Sequence, residues 1–165
     1  MGANDVRNAE ELENCFDNKD PQEIHRYFRT FRKVSERLFN LLGKDKGVAH
    51  TDIVKCYSKR FPPKNCKGRE AWLIINNCKE YLEEQIRQYR PQMIICNGSP
   101  VCRVIRSVIV PRTDYTTSYI GELDGREIVV ILSGFVGRID NHAKVRLGKE
   151  IETYMEKYGI GPSVS

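Results

Sequence analysis

A chain of 165 residues with 40% hydrophobic side chains has the size of one domain and can bury a core without disulfide staples. It holds no apolar run long enough to span a bilayer, its first residues, MGANDVRNAEELEN, are acidic and polar rather than secretory, and six cysteines are too few for a disulfide scaffold. The net charge of +5 is uneven, with −4 in residues 1–20, +9 in residues 21–69 and zero in residues 70–165. These numbers point to an intracellular, cytoplasmic protein with reduced thiols and no membrane contact. The basic block, Arg26, Arg29, Arg32, Lys33 and Arg37 followed by Lys55, Lys59, Arg60, Lys64, Lys67 and Arg69, would attract phosphate backbones by releasing counterions. A solvated helix face followed by a basic loop has the same composition.

Residues 1–20 read as an acidic lead with a turn or two of helix around Ala9–Phe16. Asp20-Pro21-Gln22-Glu23 is a helix start, with a capping Asp, Pro at the first position and Glu able to reach back. From there Ile24, Tyr27, Phe28, Phe31, Val34, Leu38, Leu41 and Leu42 keep one face apolar as far as Gly43. Val48–Tyr57 reads as a strand, and Ser58–Arg69 as a basic loop punctuated by Pro62, Pro63 and Gly68. A long helix is expected over Glu70–Tyr89, with Ala71, Ile74, Ile75, Cys78, Leu82, Ile86 and Tyr89 on one face. Pro91 ends it, and Met93–Cys96 reads as a buried strand of the parallel type.

Ser99 and Pro100 suit the cap and first position of a helix over Pro100–Ser107. Strands over Ser118–Leu123 and Arg126–Leu132 flank Asp124-Gly125, a two-residue hairpin signal. Ser133–Gly137 is a loop, and Asp140 or Asn141 opens a last helix that ends at Tyr158 before Gly159. Strands alternating with long helices predict an α/β fold.

Three segments in this order resemble the uracil-DNA glycosylase superfamily. His50-Thr51-Asp52-Ile53-Val54-Lys55-Cys56 is similar to its T-N-x-V-K-C strand. Cys78 through Ile86, then Arg90-Pro91-Gln92-Met93-Ile94-Ile95-Cys96-Asn97-Gly98, resembles its C-x-x-Y-L-x-x-Q-I helix and R-P-x-x-I-I strand. Val129–Arg138 with Arg146–Ile151 resembles its last strand, DNA-facing loop and closing helix. The likeness covers roughly residues 48–158. It implies a three-layer fold with a mostly parallel central sheet between helices. The active crevice would lie at the carboxyl ends of strands, where a base flipped out of DNA is held.

Three departures from that pattern bear on chemistry. The family's opening strand and Gly/Pro-rich loop, which position the attacking water, have no counterpart in residues 1–47, as expected of a shortened chain or a lineage that lost the segment. Asp52 stands where the family has the Asn that reads the base edge. An amide offers a donor and an acceptor, so it pairs with uracil N3–H and O4 together, whereas an ionised carboxylate only accepts. Facing O4 with it costs about 1–3 kcal/mol or more, so an amino-bearing edge, as in cytosine or adenine, suits Asp52 better. Asp52 is equally suited to capping a strand end or pairing with a nearby Lys or Arg. Finally, Ser133-Gly134-Phe135-Val136 occupies the place of the family's H-P-S-P loop. Serine donates a hydrogen bond but brings no positive charge to a departing base; Arg138 or His142 lie close enough in sequence to compensate. Ser133, Gly134 and Gly137 also suit a plain turn.

The resemblance thus assigns base contact to Asp52 and His50 and the DNA-facing loop to Ser133, Gly134 and Arg138. Phosphate contact falls to Lys144 and Arg146; independently, the Asn97-Gly98-Ser99 turn before a helix suits a phosphate at its free N–H groups, or simply a tight strand-to-helix connection. DNA is the expected partner, and excision of a damaged or non-standard base the expected activity, the alternative being an inactive nucleic-acid or protein-binding module on the same fold. No cofactor is needed for that chemistry. Some members of the family hold an iron–sulfur cluster on four thiolates, and Cys56 and Cys78 match two of those ligands. Cys66 between them and Cys15 would have to complete the set, because the family's amino-terminal C-x-x-C is missing. His25, His50 and His142 show no metal spacing. One α/β domain over residues 21–160 is expected, with a tail at 161–165.

Overall fold

The computed structural model describes residues 26–55, 68–114 and 116–161. In chain order the elements are α1 (Arg26–Arg32), α2 (Glu36–Asn40), α3 (Gly68–Tyr89), β1 (Met93–Asn97), α4 (Ser99–Val108), β2 (Val110–Asp114), β3 (Ser118–Leu123), β4 (Arg126–Ser133) and α5 (Asn141–Tyr158). They fall into two compact units. Thr51–Phe135 forms one, and the segments before and after it form the other. The lead segment 1–20, the helix start at Asp20–Glu23, the loop 58–67 and the tail beyond Gly161 lie outside the described residues.

The central unit carries a four-stranded sheet in the order β1-β4-β3-β2. β1 pairs with β4 in parallel, Met93 opposite Val129 and Asn97 opposite Ser133, while β3 is antiparallel to β4 and to β2. Three strands therefore run one way and β3 runs against them. The fold is α/β as expected, but its sheet is mixed, because β2, β3 and β4 follow one another through tight connections rather than helices. The hairpin at Asp124-Gly125 forms as the sequence implies, both residues taking positive φ (51° and 75°). Arg87 of α3 ties its tip down through Asp124 at 3.0 Å.

β4 is apolar without alternation because both its faces are buried. Ile128 and Val130 join the cluster formed with Ile75, Leu82 and Ile86 of α3, Val104, Ile105 and Val108 of α4, and Tyr119 of β3; Val129 and Ile131, between them, are buried as well. The periodicity of α3 is matched by its buried set, Ala71, Ile75, Cys78, Leu82 and Ile86, except that Tyr89, expected on the same face, is exposed at the helix end. β2 was not foreseen. Pro111 argues against a strand, yet β2 is an edge strand with an irregularity between Pro111 and Thr113, where a missing N–H is tolerated.

The strand expected over Val48–Tyr57 is not formed in its described part, residues 48–55. Val48 makes an isolated bridge with Leu42, its N–H and C=O being taken locally by Leu41 and Gly43 at 2.8 and 2.9 Å. A backbone satisfied by its own loop has nothing to offer a ladder. The helix expected up to Gly43 is also interrupted. After Arg32 the chain turns, and Ser35 starts α2, its hydroxyl accepting the Leu38 N–H at 3.3 Å. A hydroxyl that caps competes with helix continuation.

In the same unit, Asp140 caps α5 by accepting the Ala143 N–H at 2.8 Å, and Gly159 ends the helix in the left-handed region. Leu147, Gly148, Ile151 and Met155 are its buried seam. A Cβ on Gly148 would sit 1.9 Å from the Val34 carbonyl oxygen, so α5 meets the α1–α2 elbow backbone to backbone. No helix among the described residues is long and apolar enough to cross a membrane.

Candidate functional site

β1 and β4 end side by side. Gly98 follows at φ 110°, a conformation that glycine adopts readily, and its N–H closes onto the Ser133 carbonyl at 2.9 Å. This turn swings the chain directly into α4. Gly98 is the cap of that helix and, having no side chain, makes no cap hydrogen bond to its first turn; Ser99, expected as the cap, is instead the first helical residue. The opening N–H groups of α4, other than Pro100 which has none, and the positive end of its dipole lie at the carboxyl ends of two parallel strands. Ligands bind at such a place in open α/β sheets.

A cleft of about 370 Å³ opens there, lined by Ser99, Cys102, Arg103, Arg106, Leu132, Ser133 and Gly134. Its two charges are both positive. Arg103 lies over the Trp72 ring at 4.6 Å and Arg106 over Tyr119 at 5.1 Å, which holds each guanidinium in place at its flat face. Ser99, Arg103 and Arg106 share one face of α4 at helical spacing. That spacing was legible, but the short segment gave it no prominence, and the sequence reading passed over both arginines. The Ser133 hydroxyl donates to the Gly134 carbonyl at 2.9 Å. With two guanidiniums, a helix amino terminus and two hydroxyls, the cleft can hold an anion, such as a phosphate or a base leaving with negative charge.

Of the residues expected at a site, Ser99, Ser133 and Gly134 are brought together here. Asp52 is not among the cleft's lining residues. It is exposed on residues 49–55, which form no strand, and its charge faces Lys55. Lys55 reaches Gln85 Oε1 at 2.6 Å and the Thr51 hydroxyl, which itself donates to Gln85 at 3.0 Å. Burial pulls the Lys55 pKa below the usual lysine value, against the opposing pull of Asp52 and Cys78. In the other unit, His50 is surrounded edge-on by Tyr27, Phe28 and Phe31 at 5.3–6.3 Å. The Tyr27 hydroxyl is 3.2 Å from its Nε2. Arg138 and Arg146 are exposed, whereas Lys144 is 8% exposed and so presents little of itself to a phosphate.

Of the four thiols considered for a cluster, Cys15, Cys56 and Cys66 lie outside the described residues. Cys78 is buried, its Sγ accepting the Lys55 N–H at 3.5 Å. Among the described residues no group of three or more His, Cys, Asp or Glu side chains is placed to hold a metal ion. No chemistry is assigned to a cluster.

Comparison with curated proteins and with solved structures gives no match. The family model described as the uracil DNA glycosylase superfamily matches residues 8–145. The match takes in residues 8–47, where the sequence reading found no counterpart, and it ends before Arg146–Ile151. It covers most of the chain, including α3, the cleft at the carboxyl ends of β1 and β4, and the loop after β4. On that match, the chain belongs to the uracil DNA glycosylase superfamily.

Proposed function

We propose that this protein binds DNA and excises a damaged or non-standard base, cleaving the N-glycosidic bond with water. The observation that carries the reading is the cationic cleft at the carboxyl ends of β1 and β4 in a chain of this family. In the proposed reaction the C1′–N bond breaks, water adds to C1′, and the base leaves with the bonding pair and is then protonated. Arg103, Arg106 and the amino terminus of α4 would stabilise negative charge on the strand or on the departing base. The Ser133 hydroxyl would turn from the Gly134 carbonyl to donate to it. Phe135, 42% exposed beside Gly134, is an apolar side chain able to fill the gap that an extruded base leaves. Asp52, an acceptor at neutral pH, would favour an amino-bearing base edge. The reading needs no cofactor and places the protein inside the cell, in the cytoplasm.

A second reading, a DNA-binding module without catalysis, is favoured by Ser133, which brings no charge where the family's loop often has histidine. One assay separates the two. Single- and double-stranded oligonucleotides carrying uracil, hypoxanthine, xanthine or a mismatched cytosine are incubated with the protein and scored for abasic sites. Release that disappears in Asp52→Ala supports excision. Salt-sensitive binding with no release on any substrate supports the module, and absence of binding overturns both.

A further inference from the structure

Excision at the cleft leaves the basic stretch ahead of the sheet unused. Residues 26–50 carry seven Lys and Arg against two Asp and Glu. α1 reads RYFRTFR, three arginines interleaved with three aromatic rings and no acidic residue in its first turn. Arg29, Lys33, Arg37 and Lys46 are exposed, and none of them forms an ion pair among the described residues. Arg32 lies over the Phe39 ring at 5.0 Å and reaches Glu36 at 3.8 Å.

The aromatic side chains of α1 are not sealed in a core. Tyr27, Phe28 and Phe31 are half-buried, and the ring they close on is that of His50, which is exposed. Its centroid lies 5.3–6.3 Å from theirs, and the Tyr27 hydroxyl is 3.2 Å from its Nε2. Three rings and a hydrogen bond thus hold an imidazole at the surface of a segment rich in cations that no carboxylate neutralises. These residues all belong to the flanking unit, and none of them lines the cleft.

We propose that this face is a second nucleic-acid surface, one for unpaired strands. A base stacks on the His50 ring, phosphates of the same strand meet Arg29 and Lys33, and Arg37 and Lys46 extend the basic track. The chemistry of the two components selects this ligand. A ring held in place gives any base a stacking surface at little conformational cost, and cations along the chain neutralise the phosphates on either side. A duplex keeps its base faces inside the stack, so it can use the cations but not the ring. An acidic protein segment offers carboxylates to Arg29 and Lys33 and has no need of a ring at the surface. The inference stands apart from the reaction proposed for the cleft, since it concerns other residues and needs no bond to break.

Fluorescence anisotropy of the full chain with a labelled oligothymidine of about 15 nucleotides tests the surface. On the unmodified protein, unlabelled oligothymidine should displace the probe about tenfold better than polyglutamate of equal charge. Equal displacement overturns the proposal in favour of an acidic partner, and this arm depends on no variant folding. His50→Ala should weaken oligothymidine binding about tenfold with the slope of log affinity against log salt unchanged, while His50→Phe, which keeps a ring there, retains the affinity. Annealing the strand to its complement should abolish the difference between the two variants. Replacing Arg29 and Lys33 together by Gln should lower the slope by about 1.4. Unchanged affinity in His50→Ala, equal losses in His50→Ala and His50→Phe, or an unchanged slope in the Gln pair overturns the proposal. None of these failures touches excision at the cleft, which is scored by abasic sites.

Discussion

At the carboxyl ends of β1 and β4 the cleft side chains are set by a sheet whose middle strand is buried on both faces, whereas Asp52 rides on residues 49–55, which join no strand. The first place is held by backbone ladders, a glycine turn and a core that admits no slack. The second is held by the surface side chains of Lys55, Thr51 and Gln85, by Ile53 and Val54 packed partly buried against the core, and by the Lys55 N–H on Cys78. Geometry built by a packed sheet survives substitution at its rim, while geometry built by exposed side chains is cheap to rearrange. A base-reading group on such a segment can adjust to its ligand; an anion cradle at the strand ends offers a fixed one.

The sharpest way to break this contrast is to weaken the sheet itself. Ile128→Ala, in the fully buried centre of β4, should cost about 3 kcal/mol of unfolding free energy. Asp52→Ala should stay within about 0.5 kcal/mol of the starting protein. Urea titrations of both variants measure the difference, and similar losses would mean that the 49–55 segment is anchored far more firmly than its exposure implies. Next in size is replacement of Arg103 and Arg106 together by Gln. It should weaken duplex binding about tenfold and lower the slope of log affinity against log salt by about two, while Asp52→Ala leaves that slope unchanged. Equal slopes for all three proteins would remove the cleft from the DNA interface.

Smaller effects test the flanking unit, where caps rather than a sheet define the chain path. Ser35→Ala should cost about 1 kcal/mol by uncapping α2, read from the thermal midpoint. Smallest is the pH dependence of Asp140, whose carboxyl lies below its ordinary pKa, first because it accepts the Ala143 N–H. A group depressed in the folded state stabilises above its unfolded pKa and loses that contribution as the pH falls through its folded one. Thermal midpoints of the protein and of Asp140→Asn should therefore converge on acidification. A gap that stays constant would show that the charge contributes nothing.

How much was readable in the sequence followed from how local each signal was. α3, the Asp124-Gly125 hairpin and α5 with its Asp140 and Gly159 caps are written in spacing and end residues that act within a few positions. The strand at Val48–Tyr57 failed because Val48, Ile53 and Val54 look like a strand whether or not a partner ladder exists. β2 was hidden by Pro111, which only an edge position excuses. Ser133 and Gly134 were legible as site residues through the family likeness, and Ser99 through its place in a turn before a helix. Arg103 and Arg106 were not, because what makes them important is the convergence of α4 with the end of β4, a contact between residues some thirty positions apart.

Gly148 carries a consequence for the second unit. With less than a carbon atom's clearance between α5 and the carbonyl oxygen of Val34, turning that helix by a single residue would drive Leu147 or Lys149 into the oxygen. The contact thus works as an indexing pin. It fixes which of the helix's cations look outward, so a substitution at this one position, which bears no charge itself, would redirect Arg146 and Lys149 together.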